Sequence, residues 1–255
     1  MKAYPHRTDA NLLEANSNKW LALADEDMKA ALKELSRPHL SRTARVVRRD
    51  MLYKAAVTYF GVREKVPLAR KALWRATYLG IDLLREDPGS ALPYAHLILA
   101  DAIAMKDLRF MEEILALVPR IGGPPEPEDD RPLAREVLNA LVALCLSHAD
   151  ACRTAVDTID MVISRRLTSR TNAKNLKSFS AMARSIADRS QGDLVGAAEQ
   201  RERDFAELAN ETPRVESKVE FLMDPLGMAL RVLARKYGLE APPTPYTDPL
   251  MLKAP

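Results

Sequence analysis

The sequence predicts an all-α fold, an irregular array of about eleven helices packed as antiparallel hairpins in the manner of helical-repeat domains. Three observations carry that expectation. Ala and Leu dominate, at 37 and 35 residues, against 22 for Val and Ile together. Gly is scarce, nine in 255 residues, about half the usual share of roughly 7%. Apolar residues recur at alternating spacings of three and four. Strands favour β-branched and aromatic residues, and the turns between them consume Gly. An all-β fold or a Gly-looped nucleotide fold is therefore disfavoured. With 47% apolar residues, 29% charged residues and a net charge of +3, the composition is that of a soluble globular chain.

Helical punctuation runs the length of the chain. Leu13, Trp20, Leu23, Met28, Ala31 and Leu35 form an amphipathic stretch over residues 9–36, which Pro38 closes. Ser41 is placed to cap the next helix. There Ala44, Val47, Met51, Ala55, Thr58 and Val62 read as one core-facing stripe, with Gly61 at the stop. Pro67 fits the first turn of a helix to about Glu86, and Asp87-Pro88-Gly89 is a turn signal. Pro93 opens a helix to Lys106, and Asp107 caps a shorter one to Val118. The segment RIGGPPEPEDD, Arg120–Asp130, reads as an exposed loop. Further helices are expected near Pro132–Ser147, Asp150–Leu167, Asn172–Arg189, Asp193–Asn210, Pro213–Met223 and Pro225–Tyr237, with Gly238 closing the last. No fixed repeat period is present. These signals outline one helical domain over residues 1–240, with a weak break at 120–131 and an extended Pro-rich tail over 241–255.

The N-terminal segment Met1–Asp9 lacks an apolar h-region, so a secretory signal is not expected. Of the most apolar stretches, Val137–Leu146 is too short to span a bilayer and Leu92–Met105 is interrupted by His96 and Asp101. A cytoplasmic protein is expected, with Cys145 and Cys152 as small core residues. His6, His39, His96 and His148 stand apart from one another, without the HExxH or Glu-x-x-His spacing that metals require. GxGxxG, GxxxxGK and GxSxG are missing. Asp157 and Asp160 could hold a divalent ion, but a solvated helix face is the better reading of Asp-x-x-Asp. Asp101 falls on the apolar stripe Tyr94, Leu97, Ile98, Asp101, Met105, where an unpaired carboxylate is costly. It reads first as the partner of an Arg on a neighbouring helix, and otherwise as a catalytic or partner-binding acid. No catalytic residue, cofactor or metal is expected.

Charge is unevenly placed. Residues 37–75 hold eleven Lys or Arg against Asp50 and Glu64, a local net of +9, so the remainder carries −6. A second basic stretch holds Arg165, Arg166, Arg170, Lys174 and Lys177. Solvated helix faces explain such charge in part. Nucleic-acid binding usually adds a recognisable module and a pI above about 9. Here the pI is about 8.8, no helix-turn-helix signature stands out, and few aromatics in the stretch suggest base stacking. Docking of an acidic protein is the favoured functional explanation. Arg42, Arg45 and Arg49, with Arg48 at the edge, form the expected docking face, because no acid lies at i±3 or i±4 on it. The acidic loop residues Glu126, Glu128, Asp129 and Asp130 are the second candidate.

One stretch is recognisable. Arg48–Glu86 reads RRDMLYKAAVTYFGVREKVPLARKALWRATYLGIDLLRE, an Ala- and aromatic-rich helix at Tyr59-Phe60 followed by one around Ala72-Leu73-Trp74-Arg75-Ala76. The hairpin Ala91–Val118, the helix Ala134–Leu146, DPLGMALRVLARKYG at Asp224–Gly238, and a tail with Tyr246 and Pro249-Leu250 follow. Together they resemble the bacterial immunity proteins of polymorphic-toxin systems, immunity family forty-nine. The resemblance implies an all-helical, non-enzymatic protein that binds and neutralises a cognate toxin in the cytoplasm. It carries over no catalytic or binding residue. Two other functions compete with it: a helical-repeat adaptor with a concave peptide groove, and a helical enzyme using Asp101 or the Asp157–Asp160 pair.

Overall fold

The computed structural model describes residues 10–35, 41–61, 65–88, 92–121, 131–165, 170–211 and 223–242. Those residues hold ten α-helices and no strand. They are α1 (Ala10–Leu35), α2 (Arg42–Gly61), α3 (Val66–Glu86), α4 (Leu92–Met105), α5 (Leu108–Leu117), α6 (Arg131–Leu146), α7 (Ala149–Ser164), α8 (Arg170–Ala187), α9 (Gln191–Glu211) and α10 (Pro225–Lys236). A short 3₁₀ turn, Val118–Arg120, follows α5. The expected helix at 213–223, the loop 122–130 with Glu126, Glu128, Asp129 and Asp130, and the tail beyond residue 242 lie outside the described residues.

Local chemistry explains the boundaries. Ser41 Oγ accepts from Ala44 N at 3.2 Å and starts α2. Asp107 Oδ1 accepts from Phe110 N at 3.1 Å and starts α5. Asp224 accepts from Gly227 N at 3.0 Å, with Pro225 in the first turn of α10. Helix ends explain how so Gly-poor a chain turns so often. Lys106, Ser147, Arg189 and Gly238 all have positive φ. At each, the amide bonds back three residues and the next amide bonds back five, the double closure of a Schellman motif. Only one of the four is glycine, so three side chains bear a left-handed backbone at about 1 kcal/mol each.

Sequential helices pack as hairpins in two runs, α1 to α5 and α6 to α9. The runs meet where α4 packs on α6, and α10 returns to lie against α4, α6 and α8. One cluster of buried side chains extends from Trp20 to Leu239 across both runs. α4 is its axis: Ala95, Ile98, Leu99, Ala102, Ile103 and Met105 are all buried. Close approach of α3 to α4 depends on Gly80, where a Cβ would lie 2.7 Å from Ile98 Cδ1.

α10 is held by a buried ion pair. Arg201 of α9 donates from Nε and Nη2 to the two oxygens of Asp224, at 2.6 and 2.7 Å. Its Nη1 donates to Asn175 O of α8 at 2.9 Å. Beyond α10, Tyr237 OH donates to Leu144 O at 3.1 Å, and Lys236 Nζ donates to Cys145 O, serving the last carbonyls of α6.

The stripe expected on α2 requires correction. Val47 is exposed and Met51 is only half-buried, while Arg49, Leu52, Ala55, Ala56, Tyr59 and Phe60 face inward. Two faces of α2 carry apolar residues at helical spacing. Packing between α1 and α3 selects the one through Leu52 and Tyr59, and Tyr59 OH donates to Asp25 of α1 at 2.5 Å.

Two stability measurements follow. Asp224→Ala strands the buried Arg201 charge and uncaps α10, and unfolding in urea is expected to show a loss of about 3–5 kcal/mol. Ser147→Gly relieves a left-handed backbone at an exposed turn, and the same assay is expected to show a gain of up to about 1 kcal/mol.

Candidate functional site

The four arginines of the expected docking face do not stand uncompensated. Antiparallel packing of α2 on α3 brings the start of α2 to the end of α3, where two acids wait. Arg45 donates from both Nη atoms to the two oxygens of Glu86, each at 2.5 Å. Arg42 Nη1 lies 3.1 Å from Asp87 Oδ2. Bidentate pairing holds the Glu86 carboxyl below its ordinary pKa. It also offsets the unfavourable placement of acids at a helix C-terminus. Arg48 is half-buried with Nη1 3.1 Å from the Met51 sulfur. Arg49 is only 4% exposed and belongs to the interior. The face expected from i±3 and i±4 spacing is thus divided between ion pairs and core.

Arg49 anchors a cleft of about 480 Å³ between α2 and α4, lined also by Asp50, Tyr53, Lys54, Tyr94 and Leu97. Its guanidinium carbon lies 5.9 Å from the Tyr53 ring centre and 5.3 Å from that of Tyr94, a cation–π arrangement on two rings. Nη1 lies 3.2 Å from Asp50 Oδ1, and Nε makes no hydrogen bond. Asp101 of α4 is 1% exposed, and neither carboxylate oxygen accepts a hydrogen bond. The Arg partner expected for it is present only as a neighbouring charge. Burial pushes the Asp101 carboxyl up to about 7, and the positive field of Arg49 pulls part of that rise back. Burial pushes the His96 imidazole down to about 4, and Arg49 adds to that shift. Asp101 is not among the residues lining the cleft, and its carboxyl is closed off from solvent.

Asp157 and Asp160 are engaged by one arginine. Arg184 of α8 donates to Asp157 Oδ1 and Asp160 Oδ2, both at 2.8 Å. Among the described residues no group of three or more potential metal ligands converges. Beside this clamp runs an open groove of about 740 Å³ across α7, α8 and α9, floored by Ala181, Gly192, Gly196 and Ala197.

A further face went unmarked in the sequence. Trp74 and Tyr78 of α3 are 42% and 43% exposed, and Leu108 at the start of α5 is 69% exposed. Trp74 stacks on Tyr78 with ring centres 5.8 Å apart and 11° between planes. It also contacts Phe110 at 5.2 Å, and its indole Nε1 donates to Asp107 Oδ2 at 3.2 Å. Within the basic stretch 37–75 Trp74 is the one exposed aromatic among the described residues, in keeping with the few expected there, and Tyr78 and Leu108 extend the face beyond it. The i, i+4 spacing of Trp74 and Tyr78 beside Lys71 and Arg75 was the available signal. From sequence, Trp74 is placed only on the helix around Ala72–Ala76, and Tyr78 is not singled out.

No family model, curated protein or solved structure matches the chain. No helix among the described residues is long and apolar enough to cross a membrane.

The buried pair on α4 sets a pH signature. A carboxyl raised in the folded state makes stability fall as pH rises from about 4 to about 7. A lowered imidazole works the other way between about 4 and its ordinary 6.5. Asp101→Asn is expected to gain stability over the parent through that carboxyl window, by roughly 1.4 kcal/mol per pH unit where Asp101 titrates. Urea unfolding at pH 4, 5.5, 7 and 8.5 tests it. A difference independent of pH would mean that Asp101 titrates at the same pH folded and unfolded.

Proposed function

We propose that the protein is a non-enzymatic inhibitor, a cytoplasmic immunity protein that binds a cognate bacterial toxin and neutralises it. Two things support this. The segments Arg48–Glu86, Ala91–Val118, Ala134–Leu146 and Asp224–Gly238 resemble immunity family forty-nine. The observation that carries a protein-binding role is the exposed face on α3 and α5. Trp74, Tyr78 and Leu108 stay in solvent on helices whose other sides are locked into the core. Trp and Tyr dominate the energetics of protein interfaces. A ring already fixed by Phe110 and Asp107 loses little entropy on docking.

A second function, a helical adaptor that binds a peptide, draws support from the open groove across α7, α8 and α9. Expression of the gene adjacent to this one separates the two. The immunity role predicts that the neighbour's product is toxic alone and harmless when this protein is co-expressed. Toxicity that co-expression leaves unrelieved would refute it.

A further inference from the structure

The face around Trp74 carries information about what it meets. Four cations lie within three residues of Trp74 or Leu108 in the chain: Lys71 and Arg75 on α3, Lys106 at the α4–α5 turn, and Arg109 on α5. Lys71, Lys106 and Arg109 are exposed and Arg75 is half-buried. Unlike Arg42, Arg45 and Arg184, none of the four forms an ion pair among the described residues. Two acids share the region. Asp107 is committed to the α5 cap and to the Trp74 indole, and Glu112 lies one turn along α5. Further along α3, Arg85 is held by Asp82 and Glu113. The helices that carry the apolar centre thus also carry positive charge that no acid among the described residues pairs.

The ring geometry discriminates between classes of partner. Single-stranded nucleic acid needs a ring face on which a base can stack. Trp74 has Tyr78 against it in a near-parallel stack and Phe110 as a second ring neighbour. It belongs to a three-ring cluster and is not an isolated platform. The exposed rings of Trp74 and Tyr78, together with the Leu108 side chain, suit aliphatic and aromatic side chains of a protein. Carboxylates suit these Lys and Arg groups.

We infer that the α3–α5 face is the docking surface, and that its partner is an acidic protein segment presenting large apolar side chains to Trp74, Tyr78 and Leu108. This rests on the proposed function for the partner's identity, but its chemistry can be tested separately.

The first probe is a synthetic 20-residue amphipathic peptide of Glu and Leu, titrated into the full-length protein. Its controls are the Lys/Leu counterpart and a 12-nucleotide oligo-dT. Trp74 emission reports binding, because the chain's other tryptophan, Trp20, is buried. The acidic peptide is expected to bind, to weaken as salt rises, and to lose about tenfold or more in affinity to Lys71→Glu/Arg75→Glu/Arg109→Glu. Leu108→Ala is expected to weaken binding while leaving the salt dependence intact. Unchanged circular dichroism verifies the fold of both variants.

The second probe is the product of the adjacent gene. Wild-type protein that binds the Glu/Leu peptide but not this product overturns the immunity role and leaves the surface standing. The surface inference is overturned if the charge-reversed protein binds the Glu/Leu peptide as wild type does. It is equally overturned if oligo-dT binds more tightly than that peptide, or if wild-type protein binds neither peptide.

Discussion

Helix α4 is apolar around almost its whole circumference, and water is excluded from every residue between Ile98 and Met105. No single neighbour can do that. α3, α5, α6 and α10 share the task, and much of the architecture follows from their having to surround one helix. Gly80 lets α3 come close enough, because a side chain there would overlap Ile98. α10 closes the side that a simple succession of hairpins would leave open. It is held in place by two charges that are themselves expensive to bury, Arg201 and Asp224. Their oxygens and nitrogens are satisfied by each other, by the α8 backbone and by the α10 cap. The pair fixes where α10 sits as well as that it sits.

The same enclosure makes Asp101 conspicuous. Its carboxylate and the Arg49 guanidinium act on each other through space, without a hydrogen bond between them. Arg49 instead reaches the exposed Asp50 and two tyrosine rings. Basic groups across the molecule thus divide into those the fold consumes and those it does not. Arg42, Arg45, Arg184 and Arg201 are consumed by acids on neighbouring helices. Among the described residues, Lys71, Arg75, Lys106 and Arg109 are not.

Most helix boundaries were legible because they are written locally. Ser41, Asp107 and Asp224 act as caps, Pro67 and Pro225 open helices, and Gly238 closes one. The stops at Lys106, Ser147 and Arg189 lack the glycine signal and were placed by the start of the next helix. What depends on distant residues was not legible. Arg45 and Glu86 lie 41 positions apart, so a search of i±3 and i±4 neighbours finds the arginine unpaired. Arg49 read as surface because it is charged, and Val47 as core because it is apolar. Packing against α1, α3 and α4 reversed both. Trp74 could be placed on a helix from sequence, but its exposure depends on how α5 leaves α4.

The partnership of α4 with α10 also bears on the order in which the molecule is made. More than a hundred residues separate the two helices in the chain, and loop closure over such a span is slow compared with forming adjacent hairpins. During synthesis α1 to α5 can pair with their neighbours as they emerge. One flank of α4 stays bare until residues 225–236 leave the ribosome. A growing chain that pauses before then displays a strip of Ala, Ile and Leu to its surroundings, the kind of surface that recruits chaperones or self-associates. Asp224 and Arg201 complete the molecule only once both have emerged.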